Sequence, residues 1–164
     1  MQKVILFLAT LGPVGQKCPA PGTFGSLMGL LTVVVLTYTT ELSLWDIGLL
    51  FIPLLIIGIP LCTKAEEILG KTDPGEIIWD EFTAIPLVYI CLPESISREF
   101  SWEFFLWLVL GILLFRIFDI FKPLGINRIQ NFKKGVGVMC DDALAAVYST
   151  IILYLIYTFS LSFF

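Results

Sequence analysis

The segment DPGEIIWDEF, residues 73–82, carries four carboxylates within ten residues, between long apolar runs. Asp73 and Glu76 can be interpreted as an ordinary helix start, with a capping aspartate, a first-turn proline and a capping-box glutamate. That interpretation does not account for Asp80 and Glu81, which would lie further along the helix. Ionised side chains in apolar surroundings cost free energy and are usually retained for function. We therefore predict that Asp80 and Glu81 take part in chemistry.

A second charged group lies in RIFDIFKP, residues 116–123. Arg116, Asp119 and Lys122 recur every three residues, so they share one face of a helix. They could form a self-neutralising row of charges at a helix end, with the long cationic side chains reaching toward water. Alternatively, Asp119 binds a metal ion while the two flanking cations bind an anion. The residues alone leave both interpretations open.

Two consecutive aspartates, Asp141 and Asp142, follow Gly135 and Gly137 and precede an apolar run. Negative charge at a helix N-terminus is stabilised by the helix dipole, so ordinary capping is the simpler interpretation. Two aspartates are more than capping requires. We therefore also consider both of them as candidate metal ligands.

The segment CPAPGTFGSL, residues 18–27, is a loop rich in proline and glycine that leads into a helix and contains Thr23 and Ser26. Free N–H groups at a helix N-terminus are suited to binding phosphate. Such loops also serve simply to turn the chain, so this motif is weak evidence when taken alone.

The residue types exclude several kinds of site. The chain has no histidine, which excludes histidine nucleophiles, Ser-His-Asp triads and most catalytic zinc sites. Its four cysteines form no C-x-x-C pair, and we expect them to be free thiols packed as small apolar residues. Carboxylates without histidine or cysteine suit a hard cation such as Mg²⁺.

The elements that position these residues must lie in a membrane. The chain is 57% hydrophobic and 15% charged, whereas soluble domains are typically ~45–50% apolar and ~25% charged. Five apolar segments occur at about 26–40, 44–69, 77–92, 101–121 and 142–163. A helical span needs ~20 residues, so the first and third segments are short and their full crossing stays open. We predict a single domain, residues 1–164, that forms an all-α membrane bundle with four to five crossing segments.

The basic residues indicate how this bundle is oriented. If each segment crosses once, nine of the ten basic residues fall on one side and Arg98 falls on the other. The nine are Lys3, Lys17, Lys64, Lys71, Arg116, Lys122, Arg128, Lys133 and Lys134. The positive-inside rule makes their side cytoplasmic. The carboxylates of all the motifs fall on this same side, where separate helix ends can meet.

Mg²⁺-assisted chemistry on a lipid phosphate follows from this combination of acids, cations and membrane helices. A net charge of −4 gives no indication of a nucleic-acid partner. The alternatives are a non-enzymatic membrane cation transporter and a structural membrane subunit. A transporter would be expected to place its ionisable groups near the middle of a span, and a structural subunit leaves the aspartate-rich motifs unexplained.

In APGTFGSL, WDEF, RIFDIFKP and GVGVMCDD the chain resembles the phosphatidylglycerophosphatase A family, with matching order and spacing over roughly residues 10–160. The resemblance implies a Mg²⁺-dependent helical phosphatase of the bacterial inner membrane that converts phosphatidylglycerophosphate to phosphatidylglycerol. The chain departs from the family pattern that we expect at three positions, Ala84, Gly125 and Ala146. These departures concern packing and turns rather than charge.

The resemblance also implies a set of site residues. Metal would be held by Asp80, Glu81, Asp119, Asp141 and Asp142, and phosphate by Arg116, Lys122 and Thr23. Asp80, Glu81, Asp119 and Asp142 are the candidate catalytic residues, and Asp73 is a further candidate. The number of metal ions, the attacking group and the oligomeric state stay open.

Overall fold

The computed structural model describes residues 1–97, 101–129, 132 and 134–162, and these residues form helices joined by short links. The helices are α1 (Gln2–Ala9), α2 (Pro13–Lys17), α3 (Pro21–Thr39), α4 (Leu44–Leu69), α5 (Trp79–Val88), α6 (Glu94–Ser97), α7 (Trp102–Phe121), α8 (Ile126–Ile129) and α9 (Gly135–Ser160). Among the described residues, α3, α4, α7 and α9 are long and apolar enough to cross a membrane. The predicted all-α membrane bundle is confirmed.

Local signals place the ends of α4 where the apolar pattern predicts them. Ser43 caps its start, because its side chain accepts the Asp46 N–H while the Asp46 carboxylate accepts the Ser43 N–H. Gly70 ends the helix in the left-handed conformation, with φ of 66°, which glycine adopts without steric cost. The helix therefore extends over the whole predicted segment, residues 44–69.

Helix α5 differs from the predicted third segment, 77–92, because it covers only ten residues. At ~1.5 Å per residue it rises ~15 Å, about half of a membrane core. It packs in the middle of the bundle against α3, α4 and α9. The chain then continues past Tyr89, whose hydroxyl donates to the Leu108 carbonyl of α7 at 2.7 Å. The third segment is thus a half-length helix enclosed by the helices that can span.

Both ends of the bundle can be recognised from contacts between helices. The C-terminal part of α3 meets the start of α7, where the rings of Tyr38 and Phe104 lie 6.2 Å apart. At the other end, the Gly135 N–H at the start of α9 donates to Thr63 Oγ1 of α4 at 3.1 Å. The starts of α3, α5 and α9 and the ends of α4 and α7 therefore share one end of the bundle.

Helices α3 and α9 begin at positions other than predicted. Helix α3 begins at Pro21 rather than near residue 26, because a proline suits the first turn of a helix. Helix α9 begins at Gly135 rather than at 142, which places Asp141 and Asp142 about two turns inside it. The capping interpretation of these two aspartates is therefore wrong.

The capping interpretation of Asp73 and Glu76 is also wrong. Asp73 lies in a loop with φ of 48°, and α5 begins only at Trp79. Glu76 pairs with Lys71 at 3.0 Å, and its hydrogen bond with Lys71 lowers the pKa of the Glu76 carboxyl. Two basic residues used for the predicted orientation, Arg98 and Lys133, lie outside the described residues.

Candidate active site

Three carboxylates from two helices converge at the end of the bundle where α3, α5 and α9 begin. Asp80 and Glu81 lie in the first turn of α5, and Asp142 comes from α9. Each offers one oxygen to a group in which all the oxygens lie within 4.8 Å of one another. We call these three residues the acid cluster. Its members come from two of the motifs that the sequence singles out.

Each member of the acid cluster has a buried oxygen without a hydrogen-bond partner among the described residues. These atoms are Asp80 Oδ1, Glu81 Oε2 and Asp142 Oδ2. A buried carboxylate without compensating partners is costly, and an unsatisfied polar atom needs an explanation. A hard cation supplies one, because Mg²⁺ binds oxygens at ~2.0–2.1 Å and therefore holds opposite ligands ~4 Å apart. The donor set and its spacing fit such a cation after small side-chain movements.

Arg116 and Asp119 lie beside the acid cluster at the end of α7. Arg116 Nη1 lies 2.7 Å from Asp119 Oδ2, and both side chains are largely buried. The charge of Asp119 also acts on Glu81 and on Asp142. The predicted row of charges is thus present between Arg116 and Asp119. It does not extend to Lys122, which pairs elsewhere.

Lys122 follows the last residue of α7 and contacts Asp141 instead of the other charges of its own helix. The second oxygen of Asp141 accepts the Asp142 N–H at 3.0 Å. Burial lowers the pKa of the Lys122 ammonium, but the hydrogen bond and charge of Asp141 outweigh it, so the pKa lies above its ordinary value. Asp141 is therefore paired with the Lys122 ammonium and lies next to the acid cluster rather than in it.

The first turn of α3 forms another side of the site. Thr23, the predicted phosphate ligand, is exposed there, and its side chain has no hydrogen bond within the described residues. Ser26 is buried instead, and its hydroxyl donates to the Gly22 carbonyl at 2.9 Å. Arg116 Nη1 donates to Ser26 Oγ at 3.4 Å. Ser26 is thus a site residue absent from the predicted set, although the position four residues after Gly22 marks it as lying on the same helical face.

Glu66 is a second residue absent from the predicted set. It is buried near the end of α4, and its Oε1 accepts the Asp73 N–H at 2.7 Å. Asp73 in turn is near enough for its charge to act on Asp141. Glu66 therefore fixes the loop that places Asp73 at the edge of the site. Before the fold is known, a buried glutamate near a helix end cannot be distinguished from one that is exposed to solvent.

Comparisons with known proteins show which family the chain is similar to. The family model described as phosphatidylglycerophosphatase A matches residues 7–157. A phosphatidylglycerophosphatase A of Haemophilus influenzae is 36% identical over 140 residues, which cover 84% of this chain and 79% of that protein. The corresponding protein of Escherichia coli is 34% identical over 138 residues, covering 83% and 73%.

A third relative carries a different name. A protein of Bacteroides thetaiotaomicron, described provisionally as a phosphatidylinositol-3-phosphatase, is 35% identical over 136 residues, covering 82% of this chain and 81% of that protein. No solved structure matches the chain. All three relatives are thus named as phosphatases of phospholipid headgroups, and the names differ in the headgroup.

Proposed function

Because the chain belongs to the phosphatidylglycerophosphatase A family, we propose that it hydrolyses phosphatidylglycerophosphate to phosphatidylglycerol and phosphate with the help of Mg²⁺. The chain is a membrane phosphatase by its family and its apolar helices. The observation that carries the finer proposal is the meeting of three buried, unpaired carboxylate oxygens beside Arg116 and the start of α3. These groups match the two needs of phosphate-ester hydrolysis, a cation and an anion-binding surface.

The cation would be held by Asp80, Glu81 and Asp142. Asp119 adds negative charge next to them, and its pairing with Arg116 keeps part of that charge neutral. When bound, Mg²⁺ would supply positive charge to the phosphoryl oxygens and to an attacking water. Without a cation the crowded carboxylates repel one another, so this site is expected to bind a divalent ion tightly.

The phosphoryl group would be held by Arg116 and by the N–H groups in the first turn of α3. The guanidinium is a planar fork of donors that matches two phosphate oxygens, and it is positioned by Asp119 and Ser26. The first N–H groups of a helix have no partner within the helix and attract anions. Lys122 would contribute from the other side, where Asp141 fixes its ammonium group.

We also propose that the protein lies in the bacterial inner membrane with the site on the cytoplasmic side. The end of the bundle that carries the acid cluster also carries four lysines. Lys64 lies inside α4 near its end, Lys71 follows α4, Lys122 follows α7 and Lys134 precedes α9. Cytoplasmic loops are enriched in such residues. The lipid headgroup would then reach the site from the inner leaflet.

The transporter and structural hypotheses lose their support. The acid cluster lies at one end of the bundle, at the start of α5, and its neighbours Arg116 and Lys122 are cations. Carboxylates that line a cation path are expected near mid-span and without such partners. Family membership independently indicates a phosphatase.

A phosphate-release assay tests the proposed function. Purified protein in detergent is given phosphatidylglycerophosphate or phosphatidylinositol 3-phosphate, with Mg²⁺ or with EDTA, and the Asp142→Asn variant serves as the inactive control. We expect release from phosphatidylglycerophosphate with Mg²⁺ and loss of release with EDTA. Faster release from the inositol lipid would transfer the assignment to that headgroup, as the Bacteroides relative suggests. Equal rates with Mg²⁺ and EDTA would contradict the metal dependence.

A further inference from the structure

Helix α3 approaches α5 closely at Gly22, in the first turn of α3. A Cβ built at Gly22 would overlap Glu81 Oε1 of α5 and would lie 3.4 Å from Arg116 Nη1. Real Cβ atoms essentially never approach another heavy atom within 3.0 Å. The volume that a side chain at position 22 would fill is therefore occupied by the carboxylate of Glu81.

We propose that Gly22 is a positioning residue, whose missing side chain provides the space that holds the Glu81 carboxylate in the acid cluster. This inference rests on the proposed function, because it assigns a purpose to Gly22 only if Glu81 binds the cation. The second oxygen of Glu81, Oε2, is the buried atom without a partner in the described part of the chain. One oxygen of Glu81 thus lies against Gly22 while the other is directed to the proposed cation.

The same contact offsets part of the cost of burying this carboxylate. It lies at the N-terminus of α3, where the partial positive charge of the helix dipole favours an anion. Burial raises the pKa of the Glu81 carboxyl, and the charge of Arg116 acts against that rise. A methyl group at position 22 would displace the carboxylate from both.

The cost of adding that methyl group falls on the site rather than on the fold. The atoms that it would meet at Gly22 belong to the flexible ends of the Glu81 and Arg116 side chains, which can rotate away. Gly29, further along the same helix face, is different. A Cβ there would lie 2.7 Å from the Phe82 carbonyl oxygen and 2.9 Å from Ile85 Cβ. Gly29 thus allows the two helix backbones to approach each other closely, whereas Gly22 makes room for one functional side chain.

The test compares Gly22→Ala with Gly75→Ala, because a Cβ at Gly75 would meet nothing within 4 Å. The readouts are Mn²⁺ binding, measured from the electron paramagnetic resonance signal of free Mn²⁺, and the thermal unfolding midpoint in EDTA. We expect Gly22→Ala to weaken Mn²⁺ binding at least about tenfold, the loss typical of disturbed metal-ligand orientation, with an unchanged midpoint. Gly75→Ala should match the wild type in both. Wild-type Mn²⁺ affinity in Gly22→Ala would overturn the proposal.

A double-mutant cycle with Glu81→Asp tests whether the two residues act together. Aspartate is one methylene shorter and leaves room for a Cβ at position 22, so Gly22→Ala should change Mn²⁺ affinity by less than about twofold in the Glu81→Asp background. Equal losses in both backgrounds would show that Gly22 acts independently of Glu81 and would overturn the inference. The same conclusion would follow if Gly22→Ala also lowered the thermal unfolding midpoint. A wild type that neither binds Mn²⁺ nor responds to Mg²⁺ would instead refute the proposed metal-dependent function.

Discussion

The residues of the acid cluster lower the stability of the metal-free fold and at the same time favour cation binding. Asp80 and Asp142 are 7% and 4% exposed, and each has an oxygen without a partner in the described residues. Burying such charges destabilises the metal-free protein, because like charges repel and neither is fully solvated. The same arrangement favours cation binding. Substitutions that remove a charge should therefore separate stability from activity.

Asp142→Asn is expected to abolish most turnover while stabilising the metal-free protein. Loss of a ligand should reduce phosphate release at least about 100-fold, the upper range for disturbed metal sites. Removal of one unpaired buried charge should raise the free energy of unfolding in EDTA by about 1–3 kcal/mol. Phosphate release and thermal unfolding of the same preparation measure both effects. A variant with wild-type rate and wild-type Mg²⁺ dependence would show that Asp142 is not a ligand.

Arg116→Lys tests the anion-binding role. Lysine retains the charge opposite Asp119 but lacks the planar fork that can hold two phosphoryl oxygens. We expect turnover to fall about 10²–10³-fold, as for loss of one preorganised donor to a developing charge. The Mg²⁺ concentration for half-maximal rate should stay unchanged, because the cluster ligands are intact. A Mg²⁺ titration at saturating lipid phosphate measures both quantities, and a shift in Mg²⁺ requirement without loss of turnover would contradict this role.

At the scale of helices, the close approach of two backbones requires glycine at certain positions. At Gly135, the first residue of α9, an added Cβ would lie 2.6 Å from the Thr63 backbone nitrogen of α4 and would also meet the Ile59 carbonyl. These are backbone atoms and cannot rotate away. Helices α4 and α9 therefore depend on Gly135 for their spacing, and this spacing fixes where Asp142 enters the site.

Gly135→Ala should destabilise the fold, in contrast to Gly22→Ala. Overpacking against backbone typically costs about 1–3 kcal/mol, so the thermal unfolding midpoint in detergent should fall by several degrees. Gly75→Ala provides the matched control, since its Cβ would lie in open space. An unchanged midpoint for Gly135→Ala would show that α4 and α9 can separate at this point without cost.

The sequence predicts the ends of a helix correctly where the apolar pattern and the capping residues agree. It predicts them wrongly where contacts with other helices determine the local structure. Helix α4 begins and ends as predicted because Ser43 and Gly70 are local signals. The glycines before Asp141 and those after Pro21 indicate loops by propensity, yet they lie in helices. At Gly22, Gly25 and Gly135, atoms of another segment occupy the space that a Cβ would fill. Such a contact cannot be read from one chain segment.

The sequence predicts which residues form the site better than it predicts which of them contact one another. The motifs supply all three members of the acid cluster, since acids in apolar surroundings stand out from the sequence. The pairing of Lys122 with Asp141, rather than with its own helix, depends on how α7 meets α9. Ser26 and Glu66 likewise become recognisable only when Arg116 and Asp73 are seen to contact them. The roles of Asp142 and Arg116 in catalysis stay predictions, which the substitutions above address.

At the scale of the whole molecule, both ends of the bundle offer positions that test its orientation. Lys71 lies at the site end, after α4, with 61% of its side chain exposed. Glu41 is exposed in the link between α3 and α4, at the opposite end. In a cysteine-free background, Glu41→Cys should react with a membrane-impermeant thiol reagent in intact spheroplasts. Lys71→Cys should react only after the membrane is permeabilised, and the reverse pattern would place the site on the outer side.

The half-length helix α5 has a consequence for how the protein is made. A segment of ten residues with Asp80 and Glu81 in its first turn is a poor substrate for the insertion machinery, since a span needs ~20 mainly apolar residues. Helices α3 and α4 precede it in the chain, but α9, which packs against it, follows it. The bundle can therefore enclose α5 on all sides only after α9 has been synthesised.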